Sequence, residues 1–372
     1  MKVWYYTLMP WPYRYGEIPY PFPGKMFEPK RAPELYRGYL NLFRRADELG
    51  YDGIALAEHH YTKVGTAPSP NLMAAVAATH TQNAKIALLG DCLPLHAHPV
   101  RLAEELAMLD VMSNGRLVAG FIRGGVREYH AFGVDIANGR GMFEEAWDLI
   151  VKAWTEPEPF EWHGTYYTYD VVSILPRPLQ QPHPPVVAAA TSAETIEWAA
   201  RHHAPLLMGF ASTEQMVEGF GYYRRFAHEE CGWDPTPDEM GIIGPTYVST
   251  SDAAARAEAE DHVFVHYNEL ASILSGGALR GMNELRNSER SYAYRSSSAP
   301  DERHLVAADY EALARQRYYI GGPDTVIQRI QDRQRELGVG LFCPVTPFGS
   351  MEPPQAMKSL ELFAREVLPS LR

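Results

Sequence analysis

Glu58-His59-His60 follow directly on Gly53-Ile54-Ala55-Leu56-Ala57, so a carboxylate and two imidazoles close an apolar run. A short uninterrupted apolar run is the pattern of a parallel strand covered on both faces. In parallel α/β folds, side chains at the carboxyl ends of strands leave the core and meet the ligand cavity. An imidazole at that edge is suited to proton transfer near neutral pH. The same histidine can equally be a strand-end residue satisfied by hydrogen bonds, and the motif alone does not separate the two readings.

Two further clusters suit an anion. Gly120-Phe121-Ile122-Arg123-Gly124-Gly125 ends an apolar run with a guanidinium and two glycines, which lets backbone approach a ligand while the arginine meets an oxyanion. Ala190-Thr191-Ser192-Ala193-Glu194-Thr195 ends another run and opens a helix. Its hydroxyls either cap that helix or join free N–H groups in holding a phosphate. Taken with the Glu-His-His edge, these clusters point into one cavity. His96-Ala97-His98 offers two metal ligands at i, i+2, although its place before Pro99 favours loop and cap chemistry. His202-His203 closes a helix, where polar groups suit the dipole, and reads as structural. The chain has no GxGxxG after a strand, no GxxxxGK[ST], no HExxH, no paired CxxC and no GxSxG, so the usual dinucleotide, triphosphate, zinc and serine-hydrolase signatures are missing.

Alternating elements must position these groups. Apolar patterning predicts strands over residues 3–9, 53–57, 85–89, 117–121, 185–190, 205–208, 241–249 and 339–343. Helices are predicted over 34–49, 71–81, 99–112, 141–154, 192–201, 214–230, 324–337 and 355–368. Eight strand–helix units in 372 residues point to a single (β/α)8 barrel domain with insertion loops at its carboxyl-end mouth. Residues 156–181, rich in proline and aromatics, read as a surface excursion with a short hairpin. Residues from about 266 to 319 exceed a barrel crossover and are polar, glycine-rich and serine-rich, which fits a mobile insertion, either a lid over the mouth or a decoration.

A net charge of -12 argues against nucleic acid or an anionic membrane as the main partner. Cys92, Cys231 and Cys343 form no CxxC pair and suggest reduced thiols in a cytoplasmic protein. The opening MKVWYYTLMPWPYRYG has no long apolar stretch, so neither signal peptide nor membrane span is expected.

Five segments carry a likeness: AEHHYTKVG, AHPVRLAEELAMLDVMSNGRLVAGFIRG, NGRGMFEEAW, SAETIEWAAR and IGGPDTVIQRIQ. Residues 97–124 are the most specific part. On these segments the chain resembles the bacterial luciferase-like family of flavin-dependent monooxygenases over nearly its whole length. The resemblance implies reduced FMN at the strand carboxyl ends, activating O2 through a C4a-hydroperoxide. It makes His59 the catalytic residue beside the isoalloxazine and puts Arg123, Arg140, Ser192 and Thr195 on the FMN phosphate. It places a non-prolyl cis peptide at Leu89–Gly90 under the flavin, and Ile122 where luciferase has a cysteine. No metal is implied. The electron source would be a separate NAD(P)H:flavin reductase, and the chain a homodimer or larger homo-oligomer. The aromatic N-terminal loop MPWPYRYGEIPYPFPGKMF departs from luciferase, and points to a small apolar, aromatic or heterocyclic organic substrate rather than a long-chain aldehyde. Hydroxylation, Baeyer–Villiger insertion and ring opening all start from the same hydroperoxide. Three other readings remain: an F420-dependent hydride-transfer oxidoreductase, a barrel hydrolase with metal on His59, His60 and His96, and a non-catalytic partner subunit.

Overall fold

The computed structural model describes residues 1–13, 20–190, 192–274 and 310–372. Eight parallel strands close into a barrel: β1 (Lys2–Tyr6), β2 (Gly53–Leu56), β3 (Lys85–Leu88), β5 (Leu117–Ile122), β8 (Val186–Ala189), β9 (Leu206–Gly209), β10 (Met240–Val248) and β12 (Leu341–Val345). The ring closes because β12 pairs with β1 on one side and β10 on the other. Two short strands extend the carboxyl-end rim. β4 (Asp91–Cys92) pairs with the end of β5, and β11 (Tyr319–Gly321) with the end of β10.

Strand period two sorts the apolar residues into two layers. Trp4, Tyr6, Ala55, Ala87, Val118, Val187, Leu207, Ile243, Leu341, Cys343 and Val345 fill the barrel interior. Their neighbours Val3, Tyr5, Ile54, Ile86, Phe121 and Phe342 face the helices. The two large rings of β1 fit because neighbouring strands are small: a Cβ on Gly53 would lie 2.6 Å from the Trp4 ring. The interior is therefore a packed core with its working surface at the rim.

The outer helices are α1 (Ala32–Glu48), α2 (Pro70–His80), α3 (Pro99–Met112), α4 (Val126–Phe132), α5 (Gly139–Thr155), α6 (Ala193–Arg201), α7 (Thr213–Cys231), α8 (Asp252–Leu274), α9 (Tyr310–Gln316), α10 (Pro323–Leu337) and α11 (Pro353–Leu362). The proline-rich excursion forms an antiparallel hairpin, β6 (Phe160–His163) with β7 (Thr168–Val172). The expected insertion is corrected at both ends. Residues 266–274 continue α8, and 310–319 contain α9 and the start of β11, with Tyr267, Tyr310, Leu313, Ala314, Tyr318 and Tyr319 buried in the core. The lid expected between them falls on residues 275–309, outside the described residues. The last predicted helix breaks after Leu362 into a π turn, Phe363–Val367, and a 3-10 turn. No helix among the described residues is long and apolar enough to cross a membrane.

Candidate active site

His59 stands just beyond the end of β2, half-buried, with the following loop folded tightly against it. A Cβ on Gly65 would lie 3.0 Å from both the His59 Cβ and the Leu8 carbonyl. Burial, reinforced by His60 and opposed by Glu128 and Glu58, lowers the His59 pKa and leaves a neutral imidazole at pH 7.

The preceding residue, Glu58, turns away from His59 and ties the rim together. One oxygen accepts the Cys92 backbone N–H at 2.7 Å, and the other lies 2.7 Å from His60 Nε2. Burial would raise this carboxyl, but hydrogen bonds from His60, His96 and Cys92 outweigh it and hold the pKa at about 2. Asp91 meets the opposite fate: it is fully buried and neither oxygen has a hydrogen-bond partner. Burial, assisted by Glu58 and Glu105 against the opposing charge of His96, pushes it up to about 8. Two nearby carboxyls thus sit in opposite protonation states at neutral pH. His96 joins this cluster, which gives it more than the loop role its position before Pro99 suggested. Ligand atoms of Glu58, Asp91 and His96 lie within 4.8 Å of one another. That is the one such grouping among the described residues, so the metal set of His59, His60 and His96 is not assembled. His60 instead faces the Phe132 ring at 4.6 Å.

The Leu89–Gly90 peptide is cis. A Cβ on Gly90 would strike the Gly120 carbonyl, and one on Gly120 would strike the Leu88 carbonyl, so both glycines let two backbones touch. Beside them, Gly124 at φ +85° leaves room for the Cys92 sulfur, whose thiol donates to the Arg123 carbonyl at 3.3 Å. The Tyr129 hydroxyl donates to the same carbonyl. Ile122 ends β5 opposite Cys92, half-buried at the same rim.

The residues expected to hold an anion converge from three elements. Arg140, in the first turn of α5, donates from Nη2 to Thr195 Oγ1 at 3.3 Å, and Ser192 Oγ lies 3.0 Å from the same hydroxyl. Ser192 occupies the N-cap of α6, yet its side chain does not cap the helix. The Nε and Nη1 atoms of Arg140 are buried without a hydrogen-bond partner, Glu144 standing 3.7 Å from Nε. Burial lowers the Arg140 pKa and the charge of Arg123 pushes the same way, against the carboxylates of Glu144 and Glu194. Two guanidinium groups that repel each other beside a helix N-terminus form a place where a dianion is favoured. Thr191 lies outside the described residues.

The aromatic N-terminal loop does reach the mouth, where Trp11 N–H donates to the Lys63 carbonyl at 2.8 Å. Its rings pack largely on one another. Trp11 is buried against Phe27 with centroids 4.5 Å apart, and Tyr13 meets Phe22 at 5.6 Å. Residues 14–19 lie outside the described residues. His202 accepts from the Trp147 indole at 3.3 Å, and His203 stacks on Trp233, both serving packing. The sequence motifs did not single out the bridging role of Glu58, the buried Asp91, or Tyr129. The signal available was an aspartate directly after an apolar strand, where a buried acid needs explanation.

The luciferase-like monooxygenase family matches residues 23–340. The chain belongs to this family. It is thereby an enzyme, a flavin-dependent monooxygenase among the oxidoreductases. This family member is 34% identical over 346 residues to an alkanal monooxygenase alpha chain of Photorhabdus luminescens, covering 91% of this chain and 92% of the other. Its fold matches the oxygenating constituent of 3,6-diketocamphane monooxygenase from Pseudomonas putida, solved with FMN, at a TM-score of 0.75 and 21% identity over 99% of this chain and 98% of that one. It also matches an F420-dependent secondary alcohol dehydrogenase at a TM-score of 0.70 and 17% identity, over 100% and 99% of the two chains. Those two likenesses concern the fold alone, and the barrel serves both flavin and deazaflavin chemistry.

Proposed function

We propose that the chain is the oxygenase of a two-component system, taking reduced FMN from a separate NAD(P)H:flavin reductase and using O2 to oxygenate a small apolar, aromatic or heterocyclic molecule. The observation that carries this reading is Arg140, whose two buried, unmatched nitrogens lie beside Ser192, Thr195 and the start of α6. A terminal phosphate dianion supplies the missing acceptors. Arg123, Arg140, Ser192 and Thr195 would hold that phosphate, and the Leu88–Gly90 backbone against Gly120 would form a thin wall for the ring. When bound, reduced FMN supplies the electrons that activate O2. The chain's part is to orient and to manage one proton. His59, neutral at pH 7, accepts or donates a single hydrogen bond at the rim, while Glu58 fixes the wall to the loop that carries it. Leu89 and Val64, both buried, line the rim with apolar surface that excludes water. A flavin-dependent trigonelline monooxygenase of Acinetobacter baylyi, 30% identical over 243 residues, is an oxygenase component, which supports the division of labour.

Anaerobic titration tests the cofactor. Reduced FMN is expected to bind far more tightly than reduced riboflavin, and turnover with a reductase, FMN and 18O2 should place one labelled oxygen in product. Equal affinity for FMN and riboflavin, or activity with F420 alone, would overturn the proposal.

A further inference from the structure

Beneath α8 lies a buried polar cluster that the flavin site leaves unused. The helix starts beyond β10, where Asp252 accepts the Gly322 N–H at 2.7 Å. It passes the segment after β12, where His262 Nδ1 lies 2.9 Å from Ser350 Oγ. By Glu269 it has reached Lys63, in the loop after β2. Since β12 and β1 stand between β10 and β2 in the barrel, α8 crosses the mouth above them.

Lys63 is 0% exposed, Glu269 2% and His266 1%. The Lys63 ammonium pairs with Glu269 and finds no further acceptor among the described residues. His266 Nδ1 lies 2.9 Å from the Tyr318 hydroxyl, while its Nε2 is buried without a partner. Burial, together with Lys63, pushes this imidazole down to about 3, so it is neutral. The Phe210 and Phe348 rings flank it at 5.8 and 5.7 Å. Val64 and Phe210 pack on the barrel interior, and Gly65 abuts His59, which puts the cluster next to the proposed flavin site.

An ammonium has three donors, and buried donors are almost always matched. Glu269 is the one acceptor near the Lys63 ammonium among the described residues, so further donors are left to be matched. We propose that Lys63, with His266 beside it, is the polar anchor of the substrate, taking an acceptor oxygen while Phe210 and Phe348 face its apolar part. This inference rests on the flavin reading and narrows it. The substrate class is a small, mostly apolar molecule bearing a carbonyl or carboxylate oxygen.

The test uses the full chain loaded with FMN and two matched probe pairs: acetophenone with α-methylstyrene, and benzoate with toluene. Calorimetry or ligand-observed NMR should show the oxygen-bearing member of at least one pair binding about tenfold more tightly, the scale on which buried donors discriminate. Preference within the first pair assigns a neutral carbonyl, and within the second a carboxylate. The double variant Lys63→Met, Glu269→Met strands neither charge and should bring the ratio below about twofold, with FMN affinity unchanged. His266→Leu, which keeps the ion pair, should lower the ratio without abolishing it and stands in if the double variant does not fold. Equal binding of both members of each pair to the wild type overturns the proposal, as does an unchanged ratio in the variants, which would leave the donors to a structural water. Failure of the wild type to bind FMN overturns the flavin reading instead.

Discussion

Replacing Asp91 by asparagine should make the protein more stable, and by an amount that depends on pH. The folded carboxyl titrates at about 8 against an ordinary value of 3.8. Between those values the native state holds a proton that the unfolded chain releases, so stability falls as pH rises through that window. At pH 7 the unfavourable interval is 7 − 3.8 = 3.2 units, at most about 4 kcal/mol at 1.36 kcal/mol per unit. Asparagine fills nearly the same space and carries no proton to retain. Asp91→Asn is therefore expected to gain up to about 4 kcal/mol at pH 7 and little near pH 4, the gap widening by at most about 1.4 kcal/mol per unit. Glu58 works in the opposite sense. Its value of about 2, below the ordinary 4.5, gives stability that is present above 4.5 and lost as pH falls towards 2. Measurements from pH 5 to 8 lie above that window, so Glu58 stays ionised throughout and adds no slope to either curve. Urea unfolding followed by tryptophan fluorescence gives the two curves. Parallel curves across that range would refute a buried, protonated Asp91.

Other substitutions address the site directly. Arg140→Ala should weaken FMN by about 1.5–3 kcal/mol, the usual scale for hydrogen bonds to a charged group, and leave riboflavin almost unchanged in a fluorescence titration. His59→Ala should still bind FMN but divert most O2 to H2O2, measured with a peroxide assay beside product formation; wild-type coupling would remove His59 from the chemistry. Gly120→Ala drives a methyl into the Leu88 carbonyl and should cost about 1–3 kcal/mol or more, read as a lowered midpoint in thermal unfolding.

The barrel was legible because its strands are continuous apolar runs and its helices amphipathic, and both patterns repeat with loops between. Boundaries moved mostly by one to three residues, since strand ends are decided by pairing partners that a local pattern does not contain. β4 escaped notice because a two-residue strand, Asp91–Cys92, has no period to detect. The convergence of Arg140 on Thr195 came from the likeness to a family, because their 55 positions of separation carry no local signal. The Glu58 bridge to Cys92 was invisible for the same reason, spanning 34 positions. That α8 runs on through residues 266–274 was not legible, since Lys63 and Tyr318, the partners of Glu269 and His266, come from distant segments.

The contact between Gly90 and Gly120 also has a genetic meaning. A side chain at Gly141 would meet the Tyr166 ring, so a smaller residue at 166 is a ready compensating change. A side chain at Gly120 meets a main-chain carbonyl, which every amino acid carries. No second-site substitution can remove it. A selection for restored activity should therefore return intragenic suppressors of damage at Gly141, and only true revertants at Gly120.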